Sequence, residues 1–379
     1  MTSLLAGVWL SVAEAAEVTW TPRVDARLEY DDNINFSDQS KDKEQDWIYK
    51  VQPELTWRRR TDRDDLRFTA CLLGQKYDTW DELDTLDQDY RLMASSQVRP
   101  TLGLSFDGRY RKDTTQDSEL SDEGMRFWRE DRKEYRLQPS MHWQATERSS
   151  WKVALSFRQV NYEGSDNDKG DDNEDYKTSR TILTYSYLLA DDRTSVFAEP
   201  NFYYADYEHG NTRVYVMAFG VDTAFSERLT LRASGGVSFS RDRDDYGTSN
   251  DRSFEASVEA QWKLERGRWH ANYTRRYYPS GDGETVMRDR FTFSGHYRLM
   301  NRLNFAGSAS FTKVKSESDW DKEDYWNIGI SPGLVYRLTE RANLGIYYRH
   351  RFLKDNEDDE DTRRNQIWIR LDFAMMFER

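Results

Sequence analysis

One cysteine, Cys71, in 379 residues leaves no disulfide framework and no thiolate metal cluster. The five histidines show no His-x-x-x-His or Glu-x-x-His spacing, and no glycine-rich phosphate loop or Gly-x-Ser-x-Gly elbow occurs. Ser310 to Lys313 matches Ser-x-x-Lys by letters, a pattern short enough to recur by chance. No enzyme, cofactor or metal is expected from such a chain. A basic excess is also missing: 55 Lys and Arg against 68 Asp and Glu give a net charge of -13, which argues against nucleic acid as a partner. No run of about eighteen apolar residues exists, so no transmembrane helix is encoded.

What is abundant is alternation. From Arg252 to Leu264, the residues Phe254, Ala256, Val258, Ala260, Trp262 and Leu264 are apolar and those between them polar. That is a β-strand with one oily and one wet face. Its length of roughly eleven residues suits a tilted barrel strand crossing a bilayer better than the five or six of an average strand. A mean hydropathy of -0.96 does not oppose this, since windows average the two faces. The aromatic content of 14% opposes disorder and supplies interface girdles.

The unit repeats along the whole chain. Short turns such as Thr61 to Asp64 alternate with longer acidic connections such as Gly164 to Asp175. The pattern predicts an all-β fold: one antiparallel up-and-down transmembrane barrel of about 18 strands in the outer membrane, with short periplasmic turns and long acidic extracellular loops. Pro53, Pro139, Pro200 and Pro332 fall mid-strand in the apolar register and are read as bulges or kinks.

At the N-terminus, Leu4 to Val12 is a short apolar run and Ala13-Glu14-Ala15 fits a small-x-small cleavage site. Residues 1–16 therefore read as a truncated signal peptide lacking its basic n-region, and 17–379 as the barrel. At the other end Phe377 precedes Glu378 and Arg379, a departure from the terminal aromatic usual in such barrels.

If the apolar set faces lipid, the alternate set lines the lumen. Its arginines are Arg27, Arg58, Arg109, Arg111, Arg136, Arg158, Arg232, Arg276, Arg290, Arg298, Arg349 and Arg370. Charges of both signs on this scale imply a wet interior, and a barrel this wide leaves an aqueous channel. The third outer connection, Lys112 to Asp131, occupies the position of the constriction loop of diffusion porins. Its carboxylates Asp117, Glu119, Asp122 and Glu123 are candidates to face the arginines. Asp355 to Asp361 would serve solubility rather than bind divalent cations beside lipopolysaccharide. Ser140 with His142 and Ser294 with His296 resemble the dyad of an outer-membrane phospholipase, but both pairs lie in the lumen register, away from lipid.

The segment Leu28-Glu29-Tyr30-Asp31-Asp32-Asn33-Ile34 resembles the Tyr-Asp-Asp-Asn-hydrophobic opening of a family of outer-membrane β-barrel porins associated with exopolysaccharide biosynthesis and export in Gram-negative bacteria. The resemblance implies passage of a secreted polysaccharide, with lipid, lipopolysaccharide and periplasmic export components as partners. Two other functions fit the residues: a general nutrient porin, and a scaffold barrel sheathing a partner protein.

Overall fold

The computed structural model describes residues 16–37, 43–123, 130–163, 174–244, 247–280, 285–316, 324–356 and 361–378; the expected signal segment, through residue 15, lies outside them. The wall opens with β1 (Glu17–Asp31), β2 (Asp46–Arg60), β3 (Asp64–Tyr77), β4 (Thr85–Arg99), β5 (Leu102–Thr114) and β6 (Asp131–Gln144). It continues through β7 (Ser149–Glu163), β8 (Tyr176–Leu188), β9 (Thr194–Tyr207), β10 (Gly210–Ala224), β11 (Leu229–Asp244) and β12 (Gly247–Leu264). It ends with β13 (Gly267–Pro279), β14 (Thr285–Arg298), β15 (Leu303–Lys315), β16 (Asp324–Arg337), β17 (Ala342–Asp355) and β18 (Asp361–Ala374). Each strand pairs antiparallel with the next, and β1 pairs with β18 from Arg23↔Ala374 to Asp31↔Gln366, which closes an 18-stranded barrel. After a break at Met375 and Met376, Phe377 and Glu378 pair again with Trp20 and Thr19 on β1. Closure leaves no edge at the seam.

The parity of the side chains is the one expected. Val24, Leu28, Val51, Val258, Ile367 and Ile369 are exposed on the outside, whereas Asp25 and Glu29 are 4% and 2% exposed within. An apolar outer face and a polar inner face is the arrangement a lipid-embedded barrel requires.

The four prolines make no bulge, which corrects the sequence expectation. At Pro53 the β2–β3 ladder skips from Val51↔Gly74 to Glu54↔Cys71 without changing register, while β1 still pairs through Val24↔Pro53. The same two-residue gap flanks Pro139 toward β7, Pro200 toward β8 and Pro332 toward β17. In an antiparallel strand a residue's N–H and C=O face the same neighbour. Proline lacks the N–H, so one ladder loses a rung and the other keeps its own.

The turn end is built from a repeated device. In Thr61-Asp62-Arg63, Thr146-Glu147-Arg148, Asp191-Asp192-Arg193, Ser226-Glu227-Arg228 and Thr339-Glu340-Arg341, the first side chain accepts the backbone N–H three residues on, at 2.9 to 3.0 Å. This is the Asx/ST turn, in which a short polar side chain substitutes for a backbone acceptor. The arginine carbonyl of each turn then accepts an N–H from the strand beyond: Arg148 from Leu188 at 2.8 Å, Arg193 from Ala224 at 3.1 Å, Arg341 from Ala374 at 3.0 Å. The turns are thus stitched into a continuous rim. The loop end is less uniform than expected, since Glu208 and His209 alone join β9 to β10.

Candidate functional site: the barrel lumen

Cross-strand register places Arg91, Arg109, Arg136 and Arg158 directly opposite one another on β4, β5, β6 and β7. A row of like charges on adjacent strands is repulsive. Carboxylates one step away on the same face relieve it. Arg91 pairs with Asp107, Arg109 with Asp89 at 2.5 Å, Arg136 with Glu134 at 2.6 Å and Arg158 with Glu134 at 3.0 Å. Arg111 and Arg132 both reach Asp113, and Arg132 also reaches Glu134. On the far side of the seam Arg370 pairs with Asp25 and Lys50 with Glu29 at 3.2 Å. The lining is charged and largely paired, with carboxylates such as Glu134 and Asp113 each shared by more than one arginine.

Two segments enter the lumen from the loop end. The first follows β5, where a helical turn, Gln116–Glu123, leads toward β6. Its Leu120, 2% exposed, packs with Val286, Val314, Tyr325 and Leu353 of β14 to β17, with Phe36 of the first loop against them. Since Leu120 leaves from β5 and lands on β14 to β17, it crosses to the opposite wall. Asp117 in the same turn accepts hydrogen bonds from Thr114 Oγ1 at 2.9 Å and Gln75 Nε2 at 3.1 Å.

The second is the β13–β14 hairpin. The β12–β13 ladder runs from Leu264↔Gly267 to Ala256↔Arg275 and stops, although β12 stays paired to β11 as far as Asp244↔Gly247. Beyond Arg275, β13 parts from β12, while β14 keeps its pairing with β15 as far as Met287↔Lys315. Val286, Met287 and Arg288 are consecutive and all buried, so both of its faces are covered. Tyr277 and Met287 join Val160, Tyr176, Tyr203 and Val214 of β7 to β10 in one apolar cluster. Arg158 Nη1 donates to the Tyr278 hydroxyl at 3.0 Å, and Tyr207 and Thr285 share a hydrogen bond of 2.9 Å. Arg288 lies over the Tyr278 ring at 3.5 Å. Tyr277, though it shares the apolar outward parity of Trp269, Ala271 and Tyr273 on β13, therefore sits inside.

Below these contacts, on the β3 to β8 side, lies a cavity of about 640 Å³. Its lining runs from Asp65 and Ser95 near the turn end up to Tyr203, Tyr278 and Pro279. Hydroxyls and amides of Gln138, Ser140, Ser156 and Thr178 alternate there with Arg136, Lys152 and Arg158.

Of the residues singled out from sequence, Arg136, Arg158 and Arg276 line this cavity, and Arg109 and Arg111 continue the charged wall beside it. Arg58 pairs with Asp65 near the turn end, and Arg298 is exposed at the turn-end tip of β14. Arg232 bonds Asp222 at 3.4 Å and Glu199 at 3.6 Å. Arg27 and Arg349 flank Trp368 at 5.6 and 5.3 Å, far from the cavity in strand order, and Arg290 lies on β14 opposite Thr274. Glu119, Asp122 and Glu123 belong to the helical turn after β5, but their side chains lie outside the described residues. Arg180, absent from the arginines named from sequence, shares the inward parity of Arg158 and is legible by the same rule. Ser140, considered for a dyad with His142, shares a hydrogen bond of 2.7 Å with Ser105. Among the described residues no group of three or more His, Cys, Asp or Glu side chains is placed to hold a metal ion.

No family model and no curated protein matches the chain. Among solved structures, the FrpB iron transporter from Neisseria meningitidis is similar with a TM-score of 0.48 and 9% identity over 90% of this chain, which spans 63% of that one. Pseudomonas aeruginosa OccK9 gives 0.48 and 11%, covering 95% of this chain and 99% of its own. Acinetobacter baumannii OccAB4 gives 0.48 and 8%, covering 95% and 98%. With a closed, 18-stranded wall, apolar outside and charged within, the chain is an outer-membrane β-barrel.

Proposed function

We propose that the barrel is a porin-like channel for a secreted exopolysaccharide, narrowed from its loop end by the Leu120 segment and by Tyr277, Tyr278 and Met287 of the β13–β14 hairpin. The observation that carries the channel is the inner wall: the row from Arg91 to Arg158 and its carboxylates form a wet lining where a packed core would be apolar. Asp117 on the helical turn acts at the constriction, and the arginine row as the track beneath it. The Tyr30-Asp31-Asp32-Asn33 resemblance supplies the polysaccharide.

A nutrient porin is the second reading, favoured by the cavity, whose volume falls in the roughly 300–1,000 Å³ range of small-molecule sites. Planar-bilayer recordings with glycans of graded length, paired with liposome swelling, separate the two. Current block that strengthens with glycan length supports polysaccharide passage. Swelling in mono- and disaccharides with no block by long glycans transfers the assignment to the nutrient reading.

A further inference from the structure

We infer that the 640 Å³ cavity binds an acidic saccharide unit, a sugar carrying a carboxylate, at a site centred on Arg180 and Tyr203. The inference rests on the channel reading and adds the chemical class of what the lumen holds.

Charge selects the class. The lining holds six basic residues, Arg67, Arg136, Lys152, Arg158, Arg180 and Arg276, against two acidic ones, Asp65 and Asp107. Both acids are already engaged, Asp65 by Arg58 and Asp107 by Arg91. Arg136 and Arg158 share one carboxylate, Glu134, with Arg132. Among the described residues Arg67, Lys152 and Arg180 form no ion pair, in a protein whose net charge is -13. Glu255 interacts electrostatically with Arg180, yet no ion pair joins them. A local cationic surplus in an acidic protein marks a place for a solute anion.

Unmet hydrogen bonding fixes the centre. The Tyr203 hydroxyl is buried without a partner in a residue 4% exposed, and Arg180 Nε is likewise unpartnered. An orphaned buried polar group is costly to keep, so a ligand group that satisfies it gains affinity. The Arg180 guanidinium lies over the Tyr203 ring at 4.9 Å, which holds its fork in one plane. A guanidinium fork receives a carboxylate, and the hydroxyls of Ser156 and Thr178 with the Gln138 amide offer partners for sugar hydroxyls.

The test is calorimetric titration of the detergent-solubilised barrel with trigalacturonate, with maltotriose as the neutral control and sodium acetate as the bare carboxylate. Wild type binds trigalacturonate roughly tenfold or more tightly than maltotriose. Arg180→Gln removes that preference, and Tyr203→Phe weakens trigalacturonate by about five- to tenfold while keeping the ring. If Arg180→Gln does not reach the folded, heat-modifiable form, Tyr203→Phe and Lys152→Gln carry the comparison. Equal binding of the two saccharides, or a preference untouched by these variants, overturns the inference. Competition by acetate at the same concentration as trigalacturonate reduces recognition to charge and overturns the saccharide class. Binding without conductance in bilayers removes the channel and leaves the site; conductance without binding does the reverse.

Discussion

Arg364 on β18 grips Asp31 on β1 across the barrel seam, with Nε and Nη2 at 2.8 and 2.5 Å from the same carboxylate oxygen. Asp32 beside it accepts the backbone and side-chain N–H of Asn365, both at 2.6 Å. Asn33 donates to the Arg363 carbonyl at 2.9 Å, and Ile34 is fully buried with Ile48 and Tyr77. The motif that suggested a family thus has a physical task of its own: it fastens first strand to last and turns the first loop inward.

Asp31 is fully buried, so Arg364→Gln removes the counter-charge of a carboxylate then held by hydrogen bonds from the Asn33 amide and Gln366. Removing one partner of a buried pair costs about 3–5 kcal/mol. The variant should lose heat-modifiable migration at a distinctly lower temperature than wild type. The double variant Asp31→Asn with Arg364→Gln should recover part of the loss. Unchanged melting of the single variant would mean that the seam is held elsewhere.

The outer face responds to charge by depth. Val258 is exposed near the middle of β12, so Val258→Arg should cost about 2–4 kcal/mol in bilayer folding titrations. Ser257→Arg, one residue away and facing the lumen, should cost far less. Equal costs would contradict the assigned parity.

The turn Asp191-Asp192-Arg193-Thr194 gives a pH signature outside the bilayer. Hydrogen bonds from the Thr194 hydroxyl, then from the Arg193 and Thr194 amides, hold the Asp191 carboxyl below its ordinary value. A depressed folded pKa means that the stabilisation is whole above the unfolded value of about 3.9 and fades as pH falls through the lower folded one. Amide exchange at Arg193 and Thr194 should therefore stay slow from neutral pH to about pH 4 and rise below it, relative to a control turn capped by Ser226. Asp191→Ser should flatten that acid-side rise.

The fold was open to reading because a period of two survives any sequence context in which one face meets lipid. Strand parity placed Arg109, Arg136 and Arg158 indoors without a structure. Which carboxylate each arginine takes was not readable, because partners such as Asp89 for Arg109 are diagonal and depend on register between strands. The in-turned hairpin was hidden for a different reason. Tyr277 and Met287 keep the lipid-facing parity of their strands, and only the end of the β12–β13 ladder at Arg275 shows that β13 has parted from β12. The repeated Thr/Ser/Asp-acid-Arg turn stood in the sequence in plain view, yet its use depends on a carbonyl reaching the strand beyond.

Single-channel conductance in planar bilayers tests most directly the proposed closure of the lumen by the Leu120 segment and the β13–β14 hairpin. Leu120→Ala removes about 2–5 kcal/mol of contact with Val286, Val314, Tyr325 and Leu353, and Tyr278→Phe removes the hydroxyl that accepts from Arg158 across the lumen. The account predicts small, intermittent openings for wild type and a large, steady conductance for the double variant. A correctly folded double variant that stays electrically silent would contradict it.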